Sequence, residues 1–382
     1  MPRKVAVLTG TRADYGIYRP VLRAIMSRKE LSLRLIVTGM HLAEEFGKTI
    51  REIEIDGFPV AARVDMLLRG DTQGAMAKSL AIGLLGITQA LEEERSDFML
   101  VLGDRGEMLA GAIAAAHLRI VTAHLHGGEL SGSIDGSLRH AITRFAHLHF
   151  PVTQRAASCL AASGEEKFRI IPIGVPGLDD ADQGFDVTDE ELQAALGFPL
   201  SGRFGLVVLH PALEEAGQNA AQAENILKVA LESDLQCLVF LPNSDAGREA
   251  ILQAIKIHGS DPKLHCIAHL PRRIYLGLLA RAAVMIGNSS SGIIEAPYFK
   301  LPVINIGSRQ QGRERAGNVL DIGGTEPELR AALAQCLHQE WKSREFDNPY
   351  HGGAGAVVAD TLAGITIDDR LLNKNFTFID SL

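Results

Sequence analysis

The 382-residue sequence predicts an α/β protein built from two Rossmann-like units with a cleft between them, and three observations carry that expectation. The chain is too long for one compact core of ordinary size, so two domains are the default. Short continuous apolar runs alternate with longer helical patterns, as parallel strands covered by helices on both faces require. The alternation breaks off once, in an acidic, turn-rich stretch, and then starts again. Composition agrees: 46% hydrophobic and 22% charged residues are ordinary for a globular chain, and 38 glycines suit many tight strand–helix turns.

In the first unit the apolar runs place strands at residues 4–8, 33–37, 98–102, 119–124 and 169–173. Helical periodicity fills the intervals, most clearly over 18–26, 73–93 and 107–117. After Gly174-Val175-Pro176-Gly177 the texture changes, and residues 178–202, acidic and containing Pro199 and Gly202, read as a hinge and entry segment. A second strand series follows at 204–209, 236–241, 264–268, 284–287 and 302–306. The expected division is therefore 1–177 and 178–365, with the polar tail within 366–382 either joining the first unit or fraying. No sequence repeat relates the halves. Open sheets of this kind gather ligands at the carboxyl ends of their strands, so the site is expected in the cleft.

Several classes of function are excluded early. With 38 Lys+Arg against 46 Asp+Glu the net charge is −8, and no basic run supplies the footprint of a nucleic-acid partner. The apolar run after Met1 to Lys4 is too short for a signal peptide, and no stretch approaches the roughly 20 apolar residues that cross a bilayer. No membrane partner is expected. Cys159, Cys237, Cys266 and Cys336 are scattered without a CxxC pair, as reduced thiols of a cytoplasmic protein would be.

Polar residues cluster just after the strands. The first strand leads into Thr9-Gly10-Thr11-Arg12-Ala13-Asp14-Tyr15-Gly16, which is neither a dinucleotide nor a P-loop motif. A turn of this kind exposes backbone N–H groups, and Arg12 adds a fork donor for phosphate; the plainer reading is a helix capped by Asp14. The third strand ends in Gly103-Asp104-Arg105-Gly106-Glu107, where Asp104 is either an acid/base group or a cap, with Glu107 in capping-box position. The fourth ends in His124-Leu125-His126-Gly127-Gly128-Glu129. Alternation puts both histidines on one face, which allows a metal site, acid/base or sugar-hydroxyl contact, or a structural role. No HExxH spacing follows. Asp135 and Arg139 stand at i, i+4, either as a helix pair or with Asp135 as a second carboxylate facing the Asp104/Glu129 pocket.

In the second unit His210-Pro211 and Pro242-Asn243-Ser244-Asp245 follow successive strands. The sharpest local signal is Gly287-Asn288-Ser289-Ser290-Ser291-Gly292 ahead of Ile293-Ile294-Glu295, a helix start whose free N–H groups and hydroxyls suit a diphosphate. Glu295 is placed to accept two ribose hydroxyls. Arg309 and Arg313 lie on a loop after the next strand, able to close over an anion.

Taken together, TGTRADYGIY (9–18), VTGMHLAEEFG (37–47), LGDRGE (102–107), HLHGGE (124–129), IDGSLRHAITRFAHLHF (134–150), GNSSSGIIE (287–295) and INIGSRQQGR (304–313) resemble the hydrolysing UDP-N-acetylglucosamine 2-epimerases of the sialic-acid type. The match is collinear over about residues 4–320. The resemblance implies a GT-B architecture with UDP held mainly by the second unit. It implies anti elimination of UDP across C1–C2 to a glycal, then hydration with inversion at C2, for nonulosonic acid synthesis. It implies no nicotinamide, no catalytic metal and no other cofactor, and a homo-oligomer, dimer or tetramer.

Carried over by position, the resemblance makes Asp104, His126, Glu129, Asp135 and His210 the catalytic candidates. The animal bifunctional enzyme resembles this chain but carries Glu at the His126 position, so His126, Glu129 and Asp135 stay alternatives for sharing proton transfer with Asp104. Ser289, Ser290, Glu295 and Arg309 match UDP contacts, with Arg12, Arg105 and Arg313 adding charge. UDP-N-acetylglucosamine is the first expected substrate. The alternative is UDP-2,4-diacetamido-2,4,6-trideoxyglucose of legionaminic-acid synthesis, for which Gly106, aromatic in other members, bears on the sugar pocket near C4–C6. More distant alternatives are a GT-B glycosyltransferase and a non-enzymatic UDP-sugar sensor.

Overall fold

The computed structural model describes residues 1–70, 72–215, 217–338 and 340–375. The first unit runs β1 (Arg3–Thr9), α1 (Arg12–Met26), β2 (Leu31–Thr38), α2 (Ile50–Ile55), β3 (Val60–Val64), α3 (Gln73–Glu93), β4 (Phe98–Leu102), α4 (Gly106–His117), β5 (Val121–Leu125), α5 (Ile134–Phe145), β6 (Leu148–Phe150) and α6 (Gln154–Ala162). After α7 (Asp189–Leu196) the second continues with β7 (Phe204–Val208), α8 (Asn219–Glu232), β8 (Gln236–Phe240), α9 (Arg248–Ile257), β9 (Leu264–Ile267), α10 (Arg272–Arg281), β10 (Val284–Gly287) and α11 (Ser290–Ile294). It closes with β11 (Val303–Ile306), β12 (Val319–Ile322) and α12 (Glu326–His338), followed by α13 (Ala354–Gly364) and α14 (Asp369–Leu372).

Both sheets are six-stranded and parallel, in the orders β3-β2-β1-β4-β5-β6 and β12-β11-β10-β7-β8-β9. The central strands are buried along their length, as a sheet covered on both faces demands. The two-unit α/β expectation holds, and helix–strand order follows the predicted alternation. Each sheet has one strand more than the five expected. β3 alternates half-buried and exposed residues, β6 has three residues, and β12 is partly exposed, so none of the three reads as an apolar run.

The strand expected at 169–173 does not form. Ile170 makes an isolated bridge to His149, and residues 167–169 form a 3-10 turn. The cause is the Arg169 guanidinium, fully buried, which donates to the carbonyls of His147, Arg370, Leu371 and Asn373 and so ties this segment to the C-terminal end. β5 also starts later than expected, because Arg119 sits at φ +54, outside the extended region.

Residues 178–202 hold short 3-10 turns and α7, whose Thr188–Glu191 capping box fixes its start; α7 packs on α10. α13 lies along α1, so the first sheet is covered partly by a helix from the far end of the chain. The largest buried apolar cluster is continuous from Val5, Leu100 and Tyr18 through Val358 to Leu278, Ile293 and Phe299, joining the two units through one core. α3 corrects one expectation: at 21 residues it is long and apolar enough, by length and composition, to cross a membrane. Its Ser79 and Thr88 interrupt the apolar run that a sequence scan looks for. In the fold Gly83 and Gly86 let this helix lie flat on Met66 and Val64, and it packs on α4. The tail expected over 368–382 includes α14, while its last part, 376–382, lies outside the described residues.

Candidate active site

Each sheet reverses strand order beside its first strand, between β1 and β4 and between β7 and β10. The crevice at such a switch point is where open α/β sheets hold ligands. Thr9-Gly10 and Gly103-Asp104 end β1 and β4; His210 and Asn288-Ser289 follow β7 and β10. The motifs read from sequence therefore face one another from two such points.

On the first unit, Asp104 caps nothing: α4 has Arg105 as N-cap without a side-chain cap bond. Gly103, at φ +74, turns the chain so that the Asp104 carboxylate meets the guanidinium of Arg139. Arg139 is 1% exposed, donates also to the Glu129 carbonyl at 3.0 Å, and leaves Asp135, its expected helix partner, to Arg309 at 3.4 Å. Arg313 reaches across the cleft, its guanidinium 3.3 Å from the Glu129 carboxylate and 3.9 Å from that of Asp104. His126 Nδ1 lies 3.6 Å from Glu129 Oε2. Burial would raise the Glu129 pKa, but Arg313 and then His126 hold its carboxyl below the usual range. His126 has φ +60, a left-handed backbone uncommon for a non-glycine residue and a form of strain that recurs at functional sites.

His124 takes a different part. It is fully buried, with Nε2 2.8 Å from the Gly103 carbonyl and Nδ1 3.3 Å from Thr143 Oγ1, so it braces the turn that carries Asp104. Burial lowers its pKa to about 3, and the ring is neutral at ordinary pH. The strand alternation expected to put both histidines on one face does not reach His126, which lies past the end of β5 in a left-handed turn. The two therefore serve different roles, and among the described residues no three His, Cys, Asp or Glu side chains converge as a metal site.

On the second unit Gly287, at φ +140, passes so close to the Val208 carbonyl that a Cβ would collide with it. Asn288 clips the turn to His210, its Oδ1 accepting from the His210 N–H at 2.8 Å and its Nδ2 donating to the His210 carbonyl at 2.8 Å. Ser289 caps α11, and Ser291 bridges Tyr275 at 2.7 Å and the Glu295 carboxylate. α11 spans five residues, so what this turn presents is local amides and hydroxyls rather than a long helix dipole. Glu295 also pairs with Arg272. Arg309 donates to the Asn288 carbonyl at 3.1 Å, and burial, then Arg309, lowers the His210 pKa to about 3.

A cavity of about 300 Å³ takes in Ser289, Ser290, Glu295, Arg309, His210, Asp104, Arg105 and Arg12. Arg12 itself is engaged with the Ala268 carbonyl and, at 3.2 Å, with His269 of the facing unit. The amides of Gly10 and Thr11 are taken by the Asp14 carboxylate at 3.1 and 2.9 Å, so the plainer capping reading of that turn is what the fold displays. Arg105 pairs with Asp245 at 3.5 Å and with Glu107 at 2.9 Å. Arg313, expected beside the diphosphate, is brought instead to the carboxylates Asp104 and Glu129. Sequence reasoning passed over Arg139, Arg272 and Asp245 as site residues; the signal available for Arg139 was its place one turn after Asp135.

Comparison with known proteins finds relatives along nearly the whole chain. A family model described as UDP-N-acetylglucosamine 2-epimerase matches residues 23–363. A Legionella pneumophila protein named UDP-N,N'-diacetylbacillosamine 2-epimerase (hydrolysing) is 39% identical over 375 residues, covering 98% of this chain and 99% of the relative. A Neisseria meningitidis UDP-N-acetylglucosamine 2-epimerase is 32% identical over 363 residues, covering 95% and 94%. Among solved structures, a UDP-N-acetylglucosamine 2-epimerase from Neisseria meningitidis bound to UDP-N-acetylglucosamine has a TM-score of 0.79 at 18% identity, covering 94% of this chain and 99% of that one. At that identity the likeness concerns the fold, which is GT-B-like in both.

Proposed function

Because this chain belongs to the UDP-N-acetylglucosamine 2-epimerase family, we propose that it is the hydrolysing kind, converting a UDP-2-acetamido-2-deoxyglucose sugar and water to UDP and the free manno sugar. The observation that supports this reading is Asp104, which lines the same cavity as the serine loop and meets Arg139 and Arg313, with Glu129 and His126 joined to it behind that wall through Arg313. In the first step a base takes the C2 proton while the C1–O bond breaks, and its electron pair leaves with UDP. The ionised Glu129, beside His126, and Asp104 are the groups for that proton, one of them returning a proton to C2 from the opposite face as water adds to C1. Ser289, Ser290 and Arg309 hold the diphosphate, where charge develops as the bond breaks, and Arg12 and Arg105 add charge at its edge. Arg313 favours the ionised form of Glu129. His210, neutral near pH 7, offers the leaving oxygen a hydrogen bond without adding charge.

This chemistry involves C1 and C2 and is indifferent to C4. UDP-N-acetylglucosamine and its 4-acetamido-4,6-dideoxy analogue both meet it, and the 39% identity to the Legionella protein, against 32% to the Neisseria one, supports the second. The test is incubation with each sugar nucleotide in deuterated water without any acceptor. The expected products are UDP and a manno sugar carrying deuterium at C2. UDP release only when an acceptor is added would mean a glycosyltransferase, and binding without release a sensor; either outcome overturns the reading.

A further inference from the structure

Three loops from the two units meet at the start of α5. The second unit supplies the anion loop after β11, with Gly307, Ser308 and Arg309, and the turn after β7 that holds Glu214 and Glu215. The first supplies residues 130–133, which lead into α5. The Glu215 carboxylate accepts from the Ser308 amide at 2.5 Å, from its hydroxyl at 2.6 Å and from Gln222 at 2.8 Å. Gly307, at φ +71, leaves room for this, because a Cβ there would collide with that carboxylate. Gly132 does the same from the first unit, where a Cβ would run into the Ser308 carbonyl. Glu214 faces the other way. Its carboxylate crosses to the first unit and accepts from the amide of Ile134, the first residue of α5, at 2.7 Å.

We infer that Glu214 is a positioning residue which, through α5, couples the seating of the anion loop to the placement of the proton-transfer groups. The inference rests on the hydrolysing reading above and adds a residue to it. The first turn of a helix leaves N–H groups without partners inside the helix. In α5 the Ser133 hydroxyl takes the Asp135 amide at 3.3 Å, while the Ile134 amide finds its acceptor on the other unit. α5 carries Asp135 in its first turn and Arg139 in its second, and Arg139 is the buried guanidinium that holds Asp104. Asp135 in turn faces Arg309 of the anion loop. A diphosphate held by Arg309 fixes that loop, Ser308 of the loop fixes Glu215, and Glu214, one peptide bond away, fixes the start of α5. Without this cap the first turn frays, and Asp135 and Arg139 lose their placement against Arg309 and Asp104.

The test compares Glu214→Ala with Glu214→Gln, whose amide oxygen still accepts from the Ile134 N–H. Glu214 is exposed, so neither variant opens the core. With whichever of the two sugar nucleotides the unaltered chain turns over, Glu214→Ala is expected to lower kcat by about tenfold or more, the scale on which a misplaced reacting group loses rate. KM and UDP affinity are expected to stay within about threefold, and Glu214→Gln to restore kcat to within about threefold of the unaltered chain. Hydrogen exchange gives a second readout. UDP is expected to slow exchange of the amides over 134–139 in the unaltered chain, and this slowing is expected to be lost in Glu214→Ala. Unchanged kcat in Glu214→Ala, a matching fall in UDP affinity, a Glu214→Gln variant as slow as Glu214→Ala, or UDP-dependent protection that survives the alanine would overturn the positioning role while leaving the hydrolysing reading intact. UDP release from neither sugar nucleotide by the unaltered chain overturns the hydrolysing reading, and the positioning role with it.

Discussion

Asp104 illustrates how one side chain's work is fixed by its partner. As a helix cap it would be replaceable by asparagine at little cost, but its carboxylate faces Arg139 and Arg313 instead. Asp104→Asn is therefore expected to lower kcat by about 100-fold or more, with UDP affinity nearly unchanged, as steady-state kinetics and titration calorimetry will measure. Unchanged turnover would return Asp104 to a structural part. Histidines buried as neutral rings set a second expectation. Burial holds His41 and His124 at about 3 and His147 at about 4, against an ordinary value of 6.5. Below pH 6.5 the unfolded chain takes up protons that the folded one refuses, so their stabilising contribution is complete above 6.5 and is lost as the pH falls toward 4. His124→Gln is expected to flatten that loss by up to one proton, about 1.4 kcal/mol per pH unit. Urea unfolding at pH 7 and pH 5 reads it, and an unaltered slope would contradict it. The motif around His124 and His126 was plain in the sequence, yet which histidine braces and which approaches Glu129 depends on a left-handed turn at His126 that nothing local announces.

Among the elements, those that were legible are the ones whose burial is uniform. β4, β7 and β10 are apolar throughout and β1 and β5 largely buried because helices cover both faces, and their ends were read to within about two residues. β3 and β12 escaped because these edge strands are partly exposed, which removes the demand for an apolar run, and β6 because its three buried residues are too few to read as one. The serine loop between β10 and α11 was legible for the opposite reason: Gly287 is forced by the nearby Val208 carbonyl, and serines there cap a helix. Its contribution can be measured directly. Ser290→Ala combined with Arg309→Ala is expected to weaken UDP binding by about tenfold or more, roughly 1.4 kcal/mol for charge-assisted contacts. Titration calorimetry with UDP checks this, and undiminished affinity would move the nucleotide elsewhere in the cleft.

At the scale of the whole molecule, two sheets share one apolar core, and the chain's last helices return to the first unit. That return is held by charge as well as by apolar contact. Arg169 donates to carbonyls of Arg370, Leu371 and Asn373, and Lys374 reaches the Glu165 carboxylate at 2.6 Å and the Thr143 and Ala146 carbonyls at 2.7 and 2.8 Å. A chain ending at Ile367 would leave a buried guanidinium short of acceptors, and is expected to lose about 3–5 kcal/mol, the usual consequence of stranding a buried charge. Urea unfolding of the shortened chain measures it, and an unchanged midpoint would mean that the clasp contributes nothing. The sequence by itself determined the class of fold, the order of strands and helices, and the strand ends at which polar residues gather, because apolar periodicity and glycine placement are local properties. It did not determine which charges meet. Arg139 turns from Asp135 to Asp104, Arg313 crosses to Glu129, and Leu80 of α3 comes to stand beside Gly106. Those pairings join residues far apart in the chain, and only the stacking of helices on two switch-point sheets brings them within reach.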